Sequence, residues 1–179
     1  NYYPEYLWEN EQKYFLEGNR ENGREQYSDH LFTERALNWV ADHADDPFFL
    51  YWAVTLPHAN NELGRETGDG MEIPNYGIYS ERDWPDPQKG HAAMISLLDE
   101  NCGRMLELLS DLGIDENTLF IFTSDNGPHA EGGADPDFFN SSGPLRGIKR
   151  DLYEGGIRVP LIARLPGRIP AGTVSGHVG

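Results

Sequence analysis

The segment LFIFTSDNGPH (residues 119–129) passes from an apolar, β-prone stretch directly into a carboxylate, a carboxamide and a glycine. The continuous apolar run within TLFIFT (118–123) predicts a buried strand. Asp125 and Asn126 follow the carboxyl end of that strand, which is where functional groups gather in open α/β sheets. The segment therefore predicts an α/β fold with a candidate site just beyond this strand.

Two other apolar stretches predict further buried strands. FFLYWAV (48–54) is continuous, aromatic and β-branched, and VPLIAR (159–164) is similarly apolar. Two of the three predicted strands run into polar loops, one carrying His58 and the other carrying Asp125 and Asn126. We expect these loops to supply the chemistry of the protein.

Two predicted helices alternate with these strands. Apolar residues at helical spacing predict one helix from Ser28 to about His43, and a longer one that begins near Asp86 and ends at Gly113. This alternation predicts an α/β protein whose central mixed, largely parallel sheet is flanked by helices. We expect that sheet to be incomplete in this chain.

The length of 179 residues fits a single domain covering residues 1–179. Residues 1–26 are polar and aromatic without a clear period, which predicts an irregular lead-in. Residues 60–88 are rich in glycine, proline, asparagine and aspartate, which predicts a long surface excursion.

The charge of the chain limits its partners. The sequence has 30 acidic and 14 basic residues, and its net charge is −16. Nucleic acids and anionic membranes are disfavoured because both are bound by basic surfaces, and no apolar run approaches the ~20 residues that span a bilayer. A small anionic substrate remains compatible, since a bound divalent cation reverses the local field.

Asp125 and Asn126 are the first candidate site residues. Carboxylate and carboxamide oxygens are hard ligands that suit Ca²⁺ or Mg²⁺. Ser-Asp-Asn-Gly is also typical of a turn, and a turn is the more frequent outcome for four such residues taken alone.

A second polar segment, GPLRGIKRDLYEGGIRVP (143–160), concentrates Arg146, Lys149, Arg150 and Arg158 in an otherwise acidic chain. A lysine is a compact cationic donor for an oxyanion, and consecutive glycines let the backbone approach closely. A solvated connection between two strands explains the same composition equally well.

The third candidate is His58, which follows Pro57 at the end of a predicted strand. Proline restricts the residue before it to extended backbone and so directs the loop that follows. Histidines in loops are more often surface or structural residues than catalytic ones, and the same default applies to His91 and His129.

Taken in order, four segments resemble the middle and later part of the catalytic domain of type I, formylglycine-dependent sulfatases. They are TLPHANNE (55–62), HAAMISLLDENCGRMLELL (91–109), FTSDNGPH (122–129) and GPLRGIKRDLYEGGIRVPLIARLPG (143–167). This arylsulfatase family belongs to the alkaline-phosphatase-like superfamily. The most specific element is Ser-Asp-Asn-Gly followed by Gly-x-Lys and Glu-Gly-Gly-x-Arg-x-Pro.

The resemblance implies a role for each candidate residue. Asp125 and Asn126 match two of the four protein ligands of the active-site cation, usually Ca²⁺, with Mg²⁺ as the alternative. Lys149 matches the lysine that contacts the sulfate group, and His58 matches the histidine near the leaving oxygen. The implied activity is hydrolysis of a sulfate ester on a carbohydrate or aryl group, by attack of a hydrated formylglycine on sulfur.

Three parts of the family pattern are missing from the chain, one of them a lysine and a histidine that the family carries between the metal and maturation segments. The adjacent aspartates that complete the metal site should follow a strand, whereas Asp45 and Asp46 precede one. The Ser-x-Pro-x-Arg match at Ser142–Arg146 lies in the Gly-Pro-Leu loop and not upstream. We therefore expect an internal part of the catalytic domain, with the formylglycine in an upstream segment and no turnover by this chain alone.

Two alternative functions remain open at this point. One is a phosphodiesterase or phosphonate hydrolase of the same superfamily. The other is a non-catalytic, calcium-dependent binder of sulfated glycans. The resemblance also favours a periplasmic or secreted location, and the sequence carries no signature of an oligomeric state.

Overall fold

The computed structural model describes residues 1–177, so the last two residues of the predicted domain lie outside the described part. Within that range the helices are α1 (Ser28–Asp42), α2 (Asn61–Thr67), α3 (Asp86–Asp111) and α4 (Glu154–Ile157). The strands are β1 (Tyr6–Glu9), β2 (Gln12–Phe15), β3 (Phe120–Thr123) and β4 (Leu161–Arg164). Short 3₁₀ turns cover Glu17–Asn22, Gly77–Tyr79 and Asp115–Asn117. None of the helices in this range is long and apolar enough to cross a membrane.

The two predicted long helices are confirmed. Helix α3 begins with Pro87 in its first turn, and Gly113 follows its end with a φ of +69° that suits glycine. Helices α1 and α3 pack through a core of four buried residues. These are Ala36, Val40, Met105 and Leu109.

Strands β3 and β4 are confirmed, but they pair antiparallel, with Phe120 opposite Arg164 and Thr123 opposite Leu161. A central parallel sheet is therefore not seen among residues 1–177, where each sheet has two strands. The predicted burial of β3 on both faces is also wrong for this range, because Ile121 is 54% exposed. Its outer face has no covering layer among the described residues.

Residues 48–54 were predicted to form a buried strand, and they belong to no sheet within the described range. Burial nevertheless alternates with a period of two, and Phe49 and Tyr51 are 87% and 81% exposed. The strand prediction is wrong here because a strand requires backbone pairing, and no described segment pairs with this one. The intervening side chains pack against the α1–α3 core and are Phe48, Leu50 and Trp52.

Two segments predicted as irregular contain more structure than their composition indicated. Residues 1–26 include the β1–β2 hairpin, and Tyr2 and Leu16 in this segment are fully buried. Residues 60–88 include α2, and Met71 in this segment is buried in a core cluster that also contains Leu56 and Met94. Tertiary packing of these few apolar residues orders segments whose polar composition predicted loops.

Candidate active site

The loop that carries His58 is fixed from both sides. The Tyr2 hydroxyl donates a hydrogen bond of 2.5 Å to the carbonyl oxygen of His58. Two residues later, the Asn60 N–H donates to the Gly70 carbonyl, and the Asn60 side chain caps α2 by accepting from Leu63 N–H. These hydrogen bonds fix the backbone of residues 58–60, which directly precede α2, and so fix the position from which the His58 side chain extends.

His58 and Lys149 are brought together although they are far apart in sequence. Lys149 Nζ lies 2.9 Å from His58 Nε2. His58 Nδ1 lies 2.7 Å from the carbonyl oxygen of Ala59, which only accepts, so Nδ1 carries the proton. The other ring nitrogen, Nε2, therefore faces the lysine ammonium.

A third residue, Glu131, completes this cluster, and the sequence analysis did not identify it. One oxygen of Glu131 lies 3.2 Å from His58 Nε2 and 3.4 Å from Lys149 Nζ. Its other oxygen forms an ion pair with the Arg150 guanidinium. Burial raises the pKa of Glu131, but Lys149 and Arg150 outweigh that effect and lower its pKa below the ordinary value.

His129 is a structural support for the same cluster. Its Nδ1 accepts a hydrogen bond of 3.1 Å from the Glu131 N–H, and its Nε2 faces the Pro57 carbonyl at 3.4 Å. Its ring stacks on His58 with centroids 5.5 Å apart. Burial lowers the pKa of His129, and burial together with His129 lowers the pKa of neighbouring His91 to about 4. Both rings are therefore neutral near pH 7.

The loop after β3 and the segment 143–160 are joined backbone to backbone. The Lys149 N–H donates to the Pro128 carbonyl at 2.7 Å, and the Gly127 N–H donates to the Gly156 carbonyl at 2.9 Å. A Cβ atom at Gly127 would lie 1.9 Å from the Gly155 carbonyl oxygen. Glycine is therefore required at this crossing, and its presence brings Lys149 beside the segment after β3.

Asp125 and Asn126 occupy the bend between β3 and Gly127. Asp125 is exposed and Asn126 is half-buried. The Asn126 amide nitrogen donates to the Gly127 carbonyl at 2.9 Å, which leaves its side-chain oxygen as the atom able to bind a cation. Among the described residues, no hydrogen bond or ion pair joins these two side chains to His58, Lys149 or Glu131.

The donor chemistry of Asp125 and Asn126 fits a hard divalent cation, but two ligands form only part of a site. Ca²⁺ takes six to eight oxygen ligands. No group of three or more histidine, cysteine, aspartate or glutamate side chains suited to a metal occurs in residues 1–177. Further ligands are thus required beyond this pair.

The other basic residues of segment 143–160 have different surroundings. Arg146 lies over the Tyr153 ring at 3.8 Å, and Arg158 pairs with Glu154 at 3.8 Å on the surface. Arg150 alone joins Lys149 at the cluster, and its φ of +79° is unusual for a residue other than glycine.

The chemistry that this arrangement supports is recognition of an oxyanion. Lysine and arginine cations, together with a histidine, converge on one carboxylate that is largely removed from solvent. The sequence signal that could have identified this carboxylate is its position in PHAEGG (128–133), between a buried histidine and two glycines with positive φ.

Comparisons with known proteins agree on one family. The Sulfatase family profile matches residues 1–179. The N-acetylgalactosamine-6-sulfatase of Mus musculus is 35% identical over 164 residues, which are 90% of this chain and 28% of that protein. A sulfatase of Formosa agariphila is 37% identical over 154 residues, which are 79% of this chain and 25% of that protein. The chain spans about a quarter of the length of these curated relatives.

A solved structure shows that the similarity extends to the fold. The crystal structure of Ps i-CgsB in complex with k-i-k-neocarrahexaose superposes with a TM-score of 0.68 at 28% identity. The match covers 84% of this chain and 30% of that one.

Proposed function

The chain belongs to the sulfatase family, and on that premise we propose that the protein containing it hydrolyses a sulfate ester. The observation that carries this proposal is the 2.9 Å approach of Lys149 to His58, beside a loop that also bears Asp125 and Asn126. An ammonium group and an imidazole that carries a proton on Nε2 would supply two donors to the oxygens of one bound sulfate group.

In this proposal Lys149 and His58 contact different oxygen atoms of the sulfate ester. Lys149 binds a non-bridging sulfate oxygen, because its ammonium is a point charge with three donors. His58 faces the bridging oxygen of the ester, where its Nε2 can donate once it carries a proton. The Ala59 carbonyl fixes the orientation of that ring through Nδ1.

We also propose that Asp125 and Asn126 hold a divalent cation, Ca²⁺ in preference to Mg²⁺. Their oxygens are the hard ligands that both ions take, and the preference for Ca²⁺ is the one that the resemblance to type I sulfatases implies. Such a cation would polarise a sulfate oxygen and offset the acidic field of a chain with net charge −16. The remaining ligands and the formylglycine nucleophile would come from parts of the protein outside this chain.

The substrate class is proposed from the relatives. The mouse relative is by name a sulfatase of N-acetylgalactosamine 6-sulfate, and Ps i-CgsB was crystallised with a neocarrahexaose. We therefore propose a sulfated carbohydrate, which also fits a periplasmic or secreted location.

The proposal extends to the sheet. In the whole protein, residues 48–54, β3 and β4 would belong to one larger sheet, largely parallel. The supporting observation is the burial of residues 48–54, which alternates with the period of two that a strand with one covered face has. A structure of the full-length protein would test this arrangement directly.

The function is tested with the full-length protein on matched aryl sulfate and aryl phosphate esters. We expect kcat/KM for the sulfate to exceed that for the phosphate by about 100-fold or more. A preference for the phosphate would instead support a phosphodiesterase or phosphonate hydrolase. Metal-dependent binding of sulfated glycans without turnover would identify a binding protein.

A further inference from the structure

Glu131 is a largely buried anion at the centre of the proposed sulfate site. Its side chain is 11% exposed, and its two oxygens contact His58, Lys149 and Arg150. A buried carboxylate is stable only when cations and donors surround it. The same cations and donors are those that a sulfate group would use.

The position of this carboxylate is fixed by its backbone. The Glu131 N–H donates to His129 Nδ1, and His129 lies against Pro57, directly before His58. On the other side, the Gly132 carbonyl accepts from the Gly70 N–H at 2.8 Å. The backbone on either side of Glu131 is therefore hydrogen-bonded. This fixes the position from which its side chain contacts His58, Lys149 and Arg150.

The hydrogen bonds of Lys149 decide how many of its N–H donors remain available to a ligand. An ammonium has three N–H donors. One is directed at His58 Nε2 and another at the Glu131 oxygen, at 2.9 and 3.4 Å. Within residues 1–177, Lys149 thus keeps one donor for a ligand while Glu131 is bound.

We propose that Glu131 is a positioning residue that acts as an internal counter-anion. It holds Lys149, His58 and Arg150 in place before substrate arrives, and it competes with sulfate for the same donors. This weakens binding of the sulfate ion and so favours its release after hydrolysis. The inference rests on the proposed sulfatase function of the site and assigns no covalent step to Glu131.

The test uses the full-length protein with Glu131→Gln, which keeps the shape of the side chain and removes its charge. Glu131→Asp keeps the charge and shortens the side chain. Glu34→Gln is the matched control, because Glu34 also pairs with an arginine, Arg104, but on the surface. Sulfate affinity is measured by calorimetry with inorganic sulfate, and kcat and KM are measured with an aryl sulfate.

We expect Glu131→Gln to lower kcat by about 10- to 100-fold, because Lys149 and His58 lose their shared partner. It should also bind inorganic sulfate about tenfold more tightly and lower KM, because a competing negative charge is gone. Glu131→Asp should keep the sulfate affinity within about threefold of the wild type, and Glu34→Gln should match the wild type in every respect.

Two results would overturn the inference. One is an unchanged kcat and sulfate affinity in Glu131→Gln. The other is weaker sulfate binding with a lowered melting temperature, which would make Glu131 a structural residue only. If the wild-type protein cleaves no sulfate ester, the proposed function fails, while the calorimetric comparison still decides whether Glu131 competes with sulfate.

Discussion

Lys149 Nζ lies 2.9 Å from His58 Nε2 across 91 residues of sequence. Their meeting depends on two sets of backbone bonds. The Lys149 N–H is bound to the Pro128 carbonyl, and the Tyr2 hydroxyl is bound to the His58 carbonyl. These anchors bring the two backbones close enough for the side chains to meet.

Lys149 should be essential for turnover. In the full-length protein, Lys149→Ala should lower kcat/KM for an aryl sulfate by about 100- to 1,000-fold, because it removes a cationic donor aimed at the developing charge. The matched control is Lys13→Ala, whose ammonium lies over the Tyr6 ring in the β1–β2 hairpin. Turnover within a few-fold of the wild type in Lys149→Ala would remove this lysine from the mechanism.

Asp125 should govern metal dependence. Asp125→Ala should reduce bound Ca²⁺ in the purified full-length protein, because it removes the charged member of the ligand pair. Treatment of the wild-type protein with a chelator should abolish activity, and added Ca²⁺ should restore it. Metal content is measured by mass spectrometry, with the exposed Asp111→Ala as control. Equal Ca²⁺ content in Asp125→Ala and wild type would refute the metal assignment.

Gly127 should tolerate no side chain. Gly127→Ala should destabilise the full-length protein or its site, because the new Cβ would lie 1.9 Å from the Gly155 carbonyl oxygen. Separation of these two loops should also move Lys149 and lower kcat by about 100-fold. Gly103→Ala is the matched control, since a Cβ there has no neighbour within 4 Å and lies inside α3.

Gly103→Ala should leave kcat unchanged and raise the free energy of unfolding by up to about 1 kcal/mol, because alanine favours helix over glycine. Thermal unfolding and kcat are measured for Gly127→Ala and Gly103→Ala side by side. Similar behaviour of the two variants would show that the Gly127–Gly155 contact does not constrain the site.

Asp29 should make stability depend on pH. Burial raises the pKa of Asp29 from 3.8 to about 6, and the N–H groups of Thr55 and Leu56 offset this only in part. The folded state therefore holds this proton more tightly than the unfolded state. The contribution of protonated Asp29 to the free energy of unfolding is fully present below about pH 4. It is lost as the pH rises through 6.

Asp29→Asn, which cannot ionise, should therefore gain roughly 3 kcal/mol over the wild type at pH 7 as an upper bound. The gain should vanish near pH 4. Unfolding of the full-length protein is measured at both pH values. Asp42→Asn, at the exposed end of the same helix, is the control. A difference independent of pH would show that ionisation of Asp29 is not its cause.

Much of the local structure could be predicted from the sequence. Helical spacing, Pro87 and Gly113 located α3, and the apolar run before Asp125 located β3, because these signals act within a few residues. The strand predicted at 48–54 is not formed within residues 1–177, since pairing depends on a second segment that the local sequence does not specify. The hairpin at the start of the chain was hidden by its polar composition.

The sequence by itself determined the family, the two long helices, strands β3 and β4 and the identity of four candidate residues, His58, Asp125, Asn126 and Lys149. Only the tertiary structure joined His58 to Lys149 and placed Glu131 between them. The reason is physical: spacing along a chain fixes local geometry, whereas contacts across 91 residues depend on which loops pack together. The position of Glu131 in PHAEGG (128–133) could single it out but not assign its role, because a carboxylate becomes a counter-anion only when folding buries it among cations.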